Sequence, residues 1–131
     1  MSYPKRLASA LVLMSFLAPF AQAGETLTAG EIKPLVSGKT TACLKTRDDS
    51  TCSTWFSEDG VVKRKMDADG KRKDGRWFVD DSDRLCILWD GKTKPLCLVV
   101  TRNEDQTYDL AKKGRHVSTI TKFHEGNTEG L

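Results

Sequence analysis

The chain has 131 residues, of which 21 are basic and 18 are acidic, and its formal net charge is +3. This length suits one domain, and so small a charge gives no support to general nucleic-acid binding, which needs a strongly basic face. Four cysteines in so short a chain are typical of a small disulfide-bonded domain in an oxidising compartment.

Residues 1–23 are predicted to be a secretory signal peptide. Lys5 and Arg6 form its positive start, residues 7–18 are almost wholly apolar, and residues 21–23 offer a small-x-small cleavage site. The apolar run is shorter than the roughly 20 residues that cross a membrane. Cleavage after Ala23 leaves one domain, residues 24–131, which we expect to be soluble and either periplasmic or secreted.

The exported domain is nearly neutral. Because Lys5 and Arg6 are two of the 21 basic residues and none of the 18 acidic residues precedes Gly24, its formal net charge is +1. Nucleic-acid binding depends on clustered positive charge. We therefore expect no nucleic-acid partner.

The first element after the leader is predicted to be a short helix. Residues 28–31, Thr-Ala-Gly-Glu, fit a capping box, and Leu27 and Ile32 are placed as a hydrophobic staple. Pro34 has no N–H to donate, so the helix should be short or bent before it ends at Gly38. We expect it to cover one end of a sheet.

From residue 39 onward, turn signals recur about every ten residues, which is typical of antiparallel strands. The clearest strands are predicted at residues 84–89 and 95–102, and the charge-rich runs at 61–66 and 71–77 are interpreted as a protruding or edge hairpin. About eight strands favour a mainly β fold, an antiparallel up-and-down meander curled into a small barrel, with a two-sheet sandwich as the alternative. Residues 125–131 are predicted to be a frayed tail.

The four cysteines allow three pairings, and hairpin geometry favours one of them. A hairpin that turns symmetrically at residues 91–92 places Cys86 directly opposite Cys97. A hairpin that turns between residues 47 and 48 places Cys43 opposite Cys52. Directly opposed residues of antiparallel strands have Cα atoms about 4.5 to 5.5 Å apart, within disulfide range. We therefore predict disulfides between Cys43 and Cys52 and between Cys86 and Cys97.

Few residues suggest chemistry, and we expect no catalytic residue, metal site or cofactor. His116 and His124 lie outside any hydrolase or metalloprotease motif. Residues 67–70, Asp-Ala-Asp-Gly, are not an EF-hand loop because Lys65 and Arg76 would stand at its first and last ligand positions. A hairpin turn is predicted there instead.

The predicted hairpin at residues 61–77 is the best candidate for a contact surface. Its seven cations outnumber its three acidic residues, so it could meet an acidic protein, an anionic glycan or a lipid headgroup. The alternative is a solvated strand pair. The seven candidate binding residues are Lys63, Arg64, Lys65, Lys71, Arg72, Lys73 and Arg76.

The three tryptophans are predicted to pack in the core, since Trp55, Trp77 and Trp89 each lie within a strand pattern. A tryptophan that faces a barrel mouth could instead stack on a small apolar or sugar ligand.

Several short motifs give the chain a family resemblance. They are Gly75-Arg76-Trp77, Leu-Cys-Ile-Leu-Trp at 85–89, Cys97, Leu-Thr-Ala-Gly-Glu-Ile at 27–32, and Gly126-Asn127. With these, the chain resembles a family of small exported proteobacterial proteins classed only as a domain of unknown function. The resemblance implies export, a compact β fold and the bridge between Cys86 and Cys97, and it supplies no reaction. A looser likeness, at the level of fold, links the chain to small periplasmic lysozyme inhibitors, which are also disulfide-bearing β-barrels.

The sequence therefore predicts a small non-enzymatic periplasmic protein that binds a partner through the basic hairpin or an aromatic mouth. One specific alternative is an inhibitor of an enzyme that cleaves the cell wall. Another is a small periplasmic hydrolase or redox protein that uses His116, His124 or a labile cysteine pair.

Overall fold

The computed structural model describes residues 24–131, so the predicted signal peptide lies outside the described residues. Helix α1 spans Ala29–Val36 with Pro34 inside it, as the capping signal predicted. The backbone N–H of Thr28 donates to Glu31 Oε1 at 3.0 Å. At its start the helix is tied to a distant turn, because the N–H of Ala29 donates to Asp83 Oδ1 at 2.7 Å.

The eight predicted strands form one closed antiparallel barrel in which each strand pairs with its neighbours in chain order. Strand β8 pairs back onto β1 and closes the ring. This confirms the barrel and rules out the two-sheet sandwich. The strands are β1 (Lys39–Lys45), β2 (Thr51–Phe56), β3 (Val61–Met66), β4 (Arg72–Val79), β5 (Arg84–Trp89), β6 (Leu96–Arg102), β7 (Tyr108–Lys112) and β8 (Arg115–Glu125).

The interpretation of β3 and β4 as a protruding or edge hairpin is wrong. Both strands are paired on both sides, β3 with β2 and β4 with β5, so neither is an edge. Ring closure leaves no free edge to protect. The many charged residues of β3 and β4 are therefore explained by the direction of their side chains, some of which point into the barrel and some outward.

Helix α1 closes one end of the barrel. Ile32 and Val36 are fully buried against core residues that include Phe56 and Trp77. The rings of Phe56 and Trp77 meet edge to face, with centroids 5.7 Å apart. The turns that follow β1, β3, β5 and β7 lie at the opposite end, which we call the open end.

Both predicted disulfides are present, and each joins directly opposed residues of neighbouring strands. Cys43 pairs with Cys52 across β1 and β2, and Cys86 pairs with Cys97 across β5 and β6. The two bridges occupy different faces of the wall. The first lines the interior of the barrel, whereas the second lies on the outer face, in register with the exposed Phe78.

The chain end is more ordered than the predicted tail at residues 125–131. Glu125 is the last residue of β8, and the N–H of Gly126 donates to the carbonyl of Gly38 at 2.9 Å. The Thr40 hydroxyl donates to the Gly126 carbonyl at 2.7 Å. The N–H of Thr128 in turn donates to the Thr40 hydroxyl at 3.2 Å, so the chain is tied to β1 as far as Thr128. Within residues 24–131, no helix is long and apolar enough to cross a membrane.

Candidate functional site

The interior of the barrel is not filled at the open end, and a cavity of about 330 Å³ remains there. We call it the barrel cavity. An eight-stranded barrel is just wide enough either to be filled by side chains or to hold one small ligand. The lower wall is apolar, because inward positions of β5 to β8 carry large aliphatic side chains. These are Ile87, Leu96, Leu98, Leu110 and Ile120.

Three cations stand at the mouth of the barrel cavity: Lys45, Arg64 and Lys73. Arg64 on β3 lies directly opposite Lys73 on β4, so their side chains share the inner face. No carboxylate among residues 24–131 forms an ion pair with any of the three. An apolar chamber therefore ends in unpaired positive charge.

Trp89 holds the guanidinium of Arg64 against the wall. The Arg64 guanidinium carbon lies 4.9 Å from the centroid of the Trp89 ring, within the range of a cation–π contact. Trp89 reaches this position because it is in register with Gly75 on β4, which has no side chain to fill the space. This contact orients the planar head of Arg64 at the mouth.

The surroundings of Arg64 and Lys73 disfavour their charged forms. Burial lowers the pKa of Arg64. The pKa of Lys73 is lowered from its ordinary value of 10.5, first by loss of water and then by neighbouring positive charges. Those neighbours are Arg64, Lys92 and Lys45. A negative charge placed among them would favour the charged forms of Arg64 and Lys73 and so raise both pKa values.

A second recess, which we call the rim cleft, adjoins the barrel cavity between the first and third hairpin turns. Its volume is about 490 Å³, and its lining includes Asp48, Asp69 and Lys71. The rim cleft and the barrel cavity have three lining residues in common, and all three are the mouth cations Lys45, Arg64 and Lys73. The cations thus stand at the boundary between an apolar chamber and a recess lined mainly by charged residues.

The structure divides the seven predicted binding residues between two faces. Arg64 and Lys73 point into the barrel. The remaining strand residues alternate with them and face outward, whereas Lys71 lies in the turn, 3.9 Å from Asp69. The outward residues are Lys63, Lys65, Arg72 and Arg76. The predicted hairpin is therefore not one contact surface.

The tryptophans differ in their surroundings. Trp77 is a core residue whose indole N–H donates to the Ser57 carbonyl at 2.8 Å, whereas Trp89 lines the barrel cavity. Trp55 lies in register with Thr40 and Lys63 on the outer face. The prediction of core packing is therefore wrong for Trp55. Trp89 lies at the barrel mouth, the position from which a tryptophan could stack on a ligand.

The histidines lie away from the barrel cavity. His116 Nε2 is 2.9 Å from the Thr119 hydroxyl and 3.3 Å from Asp109 Oδ1. One ring nitrogen thus faces both groups, whereas a nucleophile triad needs the base and the orienting acid on opposite nitrogens. His116 and His124 are both exposed, and neither lines the cavity.

Two clusters that contain aspartate could be taken for metal sites, and neither is one. The N–H of Lys71 donates to Asp69 Oδ1 at 2.9 Å, which makes residues 67–70 the predicted turn. Asp80 lies close to Cys86 and Cys97, but those sulfurs are joined in a disulfide and are not thiolate ligands. A carboxylate and a disulfide do not form a metal site.

Sequence reasoning allowed for a tryptophan at a barrel mouth but missed the apolar cavity behind it and the inward direction of Arg64, although one local signal was present. Arg64 shares its face of β3 with Val62 and Met66, which are apolar, whereas the opposite face carries Lys63 and Lys65. A lone cation among inward apolar residues indicates a charge that points into the barrel. No family model, curated protein or solved structure matches this chain.

Proposed function

We propose that this chain is an exported, non-enzymatic binding protein that holds a small ligand inside its barrel. The observation that carries the proposal is the barrel cavity of about 330 Å³, which is mainly apolar and has Trp89 at its mouth. Ligand pockets are typically concave and apolar, with a few polar groups that fix orientation, and span about 300 to 1,000 Å³. The volume suits a small ligand.

Rigidity of the wall supports this proposal. The disulfide between Cys43 and Cys52 lines the cavity and joins β1 to β2 at the open end. A preformed chamber loses less entropy when it binds a ligand than a chamber that must first be ordered. The two disulfides also favour export, because such bonds persist in oxidising compartments. We propose the periplasm as the compartment, on the predicted signal peptide.

The positions of the histidines favour binding over hydrolysis. Both lie outside the cavity lining, and the carboxylate and hydroxyl near His116 contact the same ring nitrogen. General acid–base catalysis needs its group within hydrogen-bond reach of a bound substrate. A ligand in the barrel cavity would be out of reach of both.

A cavity-filling variant tests the proposal. Ser118 points into the cavity opposite Lys45 and Leu110, so Ser118→Phe should occupy the mouth with an aromatic ring. The probe is N-phenyl-1-naphthylamine, an uncharged dye whose emission rises in apolar surroundings. The matched control is Lys122→Phe, since Lys122 lies exposed on the same strand.

We expect saturable binding of one dye per chain, loss of that binding in Ser118→Phe, and retention in Lys122→Phe. Circular dichroism would verify that both variants are folded. Absence of saturable binding by the folded wild-type chain, or equal binding by Ser118→Phe, would overturn the proposal.

A further inference from the structure

The mouth cations form no ion pair within residues 24–131, and one of them, Arg64, is half-buried. A buried or half-buried charge normally has a counter-ion or several hydrogen bonds. Arg64 is half-buried, Lys73 is exposed at the mouth, and both line the barrel cavity. They lie opposite each other on adjacent strands. Within the described part of the chain, neither has a carboxylate partner. Like charges side by side are destabilising, so this arrangement needs a reason.

An anion placed between these cations would supply the missing partner. The guanidinium presents paired N–H donors that match the two oxygens of a carboxylate. Stacking on Trp89 at 4.9 Å fixes the plane of that guanidinium, and Lys73 and Lys45 add point charges on the same rim. An acidic head group would therefore complement the mouth of the barrel cavity.

The lining of the chamber below the cations determines which kind of ligand body fits there. Ile87, Leu98 and Leu110 line it, and Leu98 and Leu110 are almost fully buried. No acidic side chain is among the residues that line this chamber. An apolar body fits here, because removing apolar surface from water stabilises the complex.

We propose that the barrel binds an amphipathic carboxylate, with its apolar body in the barrel cavity and its head group held by Arg64, Lys73 and Lys45. This inference rests on the proposed function and adds the chemical class of the ligand. A head group that extends past the cations would enter the rim cleft, since the same three residues line both recesses.

Three probes with one alkyl chain test the inference: octanoate, 1-octanol and octyltrimethylammonium, whose head groups are anionic, neutral and cationic. Isothermal titration calorimetry would measure each against the wild-type chain, residues 24–131. The variants are Arg64→Gln and Lys73→Gln. The control is Lys65→Gln, because Lys65 neighbours Arg64 on β3 and points outward, in register with Arg72.

We expect octanoate to bind about tenfold more tightly than 1-octanol, because a charge-assisted hydrogen bond is worth that much or more. Octyltrimethylammonium should bind more weakly than either. Arg64→Gln should weaken octanoate binding about tenfold and leave 1-octanol unchanged. Lys73→Gln should act in the same direction, and Lys65→Gln should have no effect.

The outcomes separate this inference from the proposed function. Equal affinity for octanoate and 1-octanol, or octanoate binding unaffected by both Arg64→Gln and Lys73→Gln, would overturn the carboxylate class while leaving a binding barrel. Absence of binding by all three probes would overturn the proposed function and this inference with it. Thermal unfolding of each variant would verify that a lost affinity is not a lost fold.

Discussion

The Arg64 guanidinium stacks on the Trp89 ring at 4.9 Å, at the mouth of the barrel cavity. The contact joins the positive charge of β3 to an aromatic side chain of β5. Trp89 lies opposite Gly75 on β4, and Gly75 pairs with Val62, two residues before Arg64 on the same face of β3. The indole is thus placed to report on any anion that reaches Arg64.

Tryptophan fluorescence should therefore respond to the ligand. Octanoate brings a carboxylate to Arg64 and an alkyl chain to the apolar wall, so the emission of Trp89 should change with saturation. Trp89→Phe should remove most of this change. Trp55→Phe should retain it, because Trp55 lies on the outer face. A response that persists without Trp89 would place the ligand elsewhere.

The affinity for octanoate should depend on alkaline pH through Lys73. A bound carboxylate favours the ammonium form, so affinity is full where Lys73 is protonated and falls as pH rises through its pKa. Because burial and neighbouring cations lower that pKa from 10.5, the fall should begin at a lower pH than for an ordinary lysine. Calorimetry over the alkaline range would measure it.

The control for this pH dependence is Lys73→Gln, which should flatten the falling limb. Arg64, Lys92 and Lys45 are the other charges near Lys73, and they remain in the variant. If the affinity of Lys73→Gln for octanoate still falls over the same pH range, another group is responsible for the titration.

The two disulfides should contribute similarly to stability and differently to binding. Their sequence separations are 9 for Cys43–Cys52 and 11 for Cys86–Cys97, so chain entropy predicts a loss of about 2.7 kcal/mol in the free energy of unfolding for either double Ala variant. Urea unfolding would measure both. Only the variant at Cys43 and Cys52 should also weaken octanoate binding, because only that bridge lines the cavity.

Equal effects of the two double variants on octanoate binding, at concentrations where both are folded, would contradict the assignment of one bridge to the cavity wall. The pair of variants thus separates a general loss of stability from a local change in the wall.

Gly75 should be required for the close approach of β4 and β5. A Cβ at this position would lie 3.0 Å from the Cα of Trp89 and would meet the carbonyl oxygen of Leu88. Gly75→Ala should therefore lower the free energy of unfolding by roughly 1 to 3 kcal/mol. Chemical denaturation would measure it.

The matched control is Gly30→Ala in helix α1, where the nearest atom to an added Cβ is 3.9 Å away. Alanine has a higher helix propensity than glycine, so this change should stabilise the chain by up to about 1 kcal/mol. Stabilisation by Gly75→Ala would show that the two strands can separate at no cost.

Local chemistry was enough to predict much of the fold. The pair Thr28 and Glu31 predicted where the helix begins, and symmetrical hairpins predicted the opposition of Cys86 and Cys97. These features depend on residues close together in the chain. Eight strands with short connections then made a meander the simplest arrangement.

The parts that sequence reasoning missed depend on distant contacts. Closure requires β1 to pair with β8, and that pairing contains a bulge between Ala42 and Cys43 that no local signal predicts. Although the sequence favoured a barrel, it did not show which face of β3 and β4 is inside. These strands were therefore interpreted as a protruding or edge hairpin, and Arg64 and Lys73 as part of its contact surface. Alternation shows which residues share a face, but only the closed ring shows which face is inside.

The most direct test is solution NMR of the chain with labelled methyl groups in the presence of octanoate. Intermolecular nuclear Overhauser effects from the alkyl chain should reach Ile87, Leu98 and Leu110, which line the cavity. The outward-facing Leu88 and Val99 serve as internal controls on the same two strands, β5 and β6. The account predicts contacts to the first set alone; contacts only to Leu88 and Val99, or to no methyl group, would contradict it.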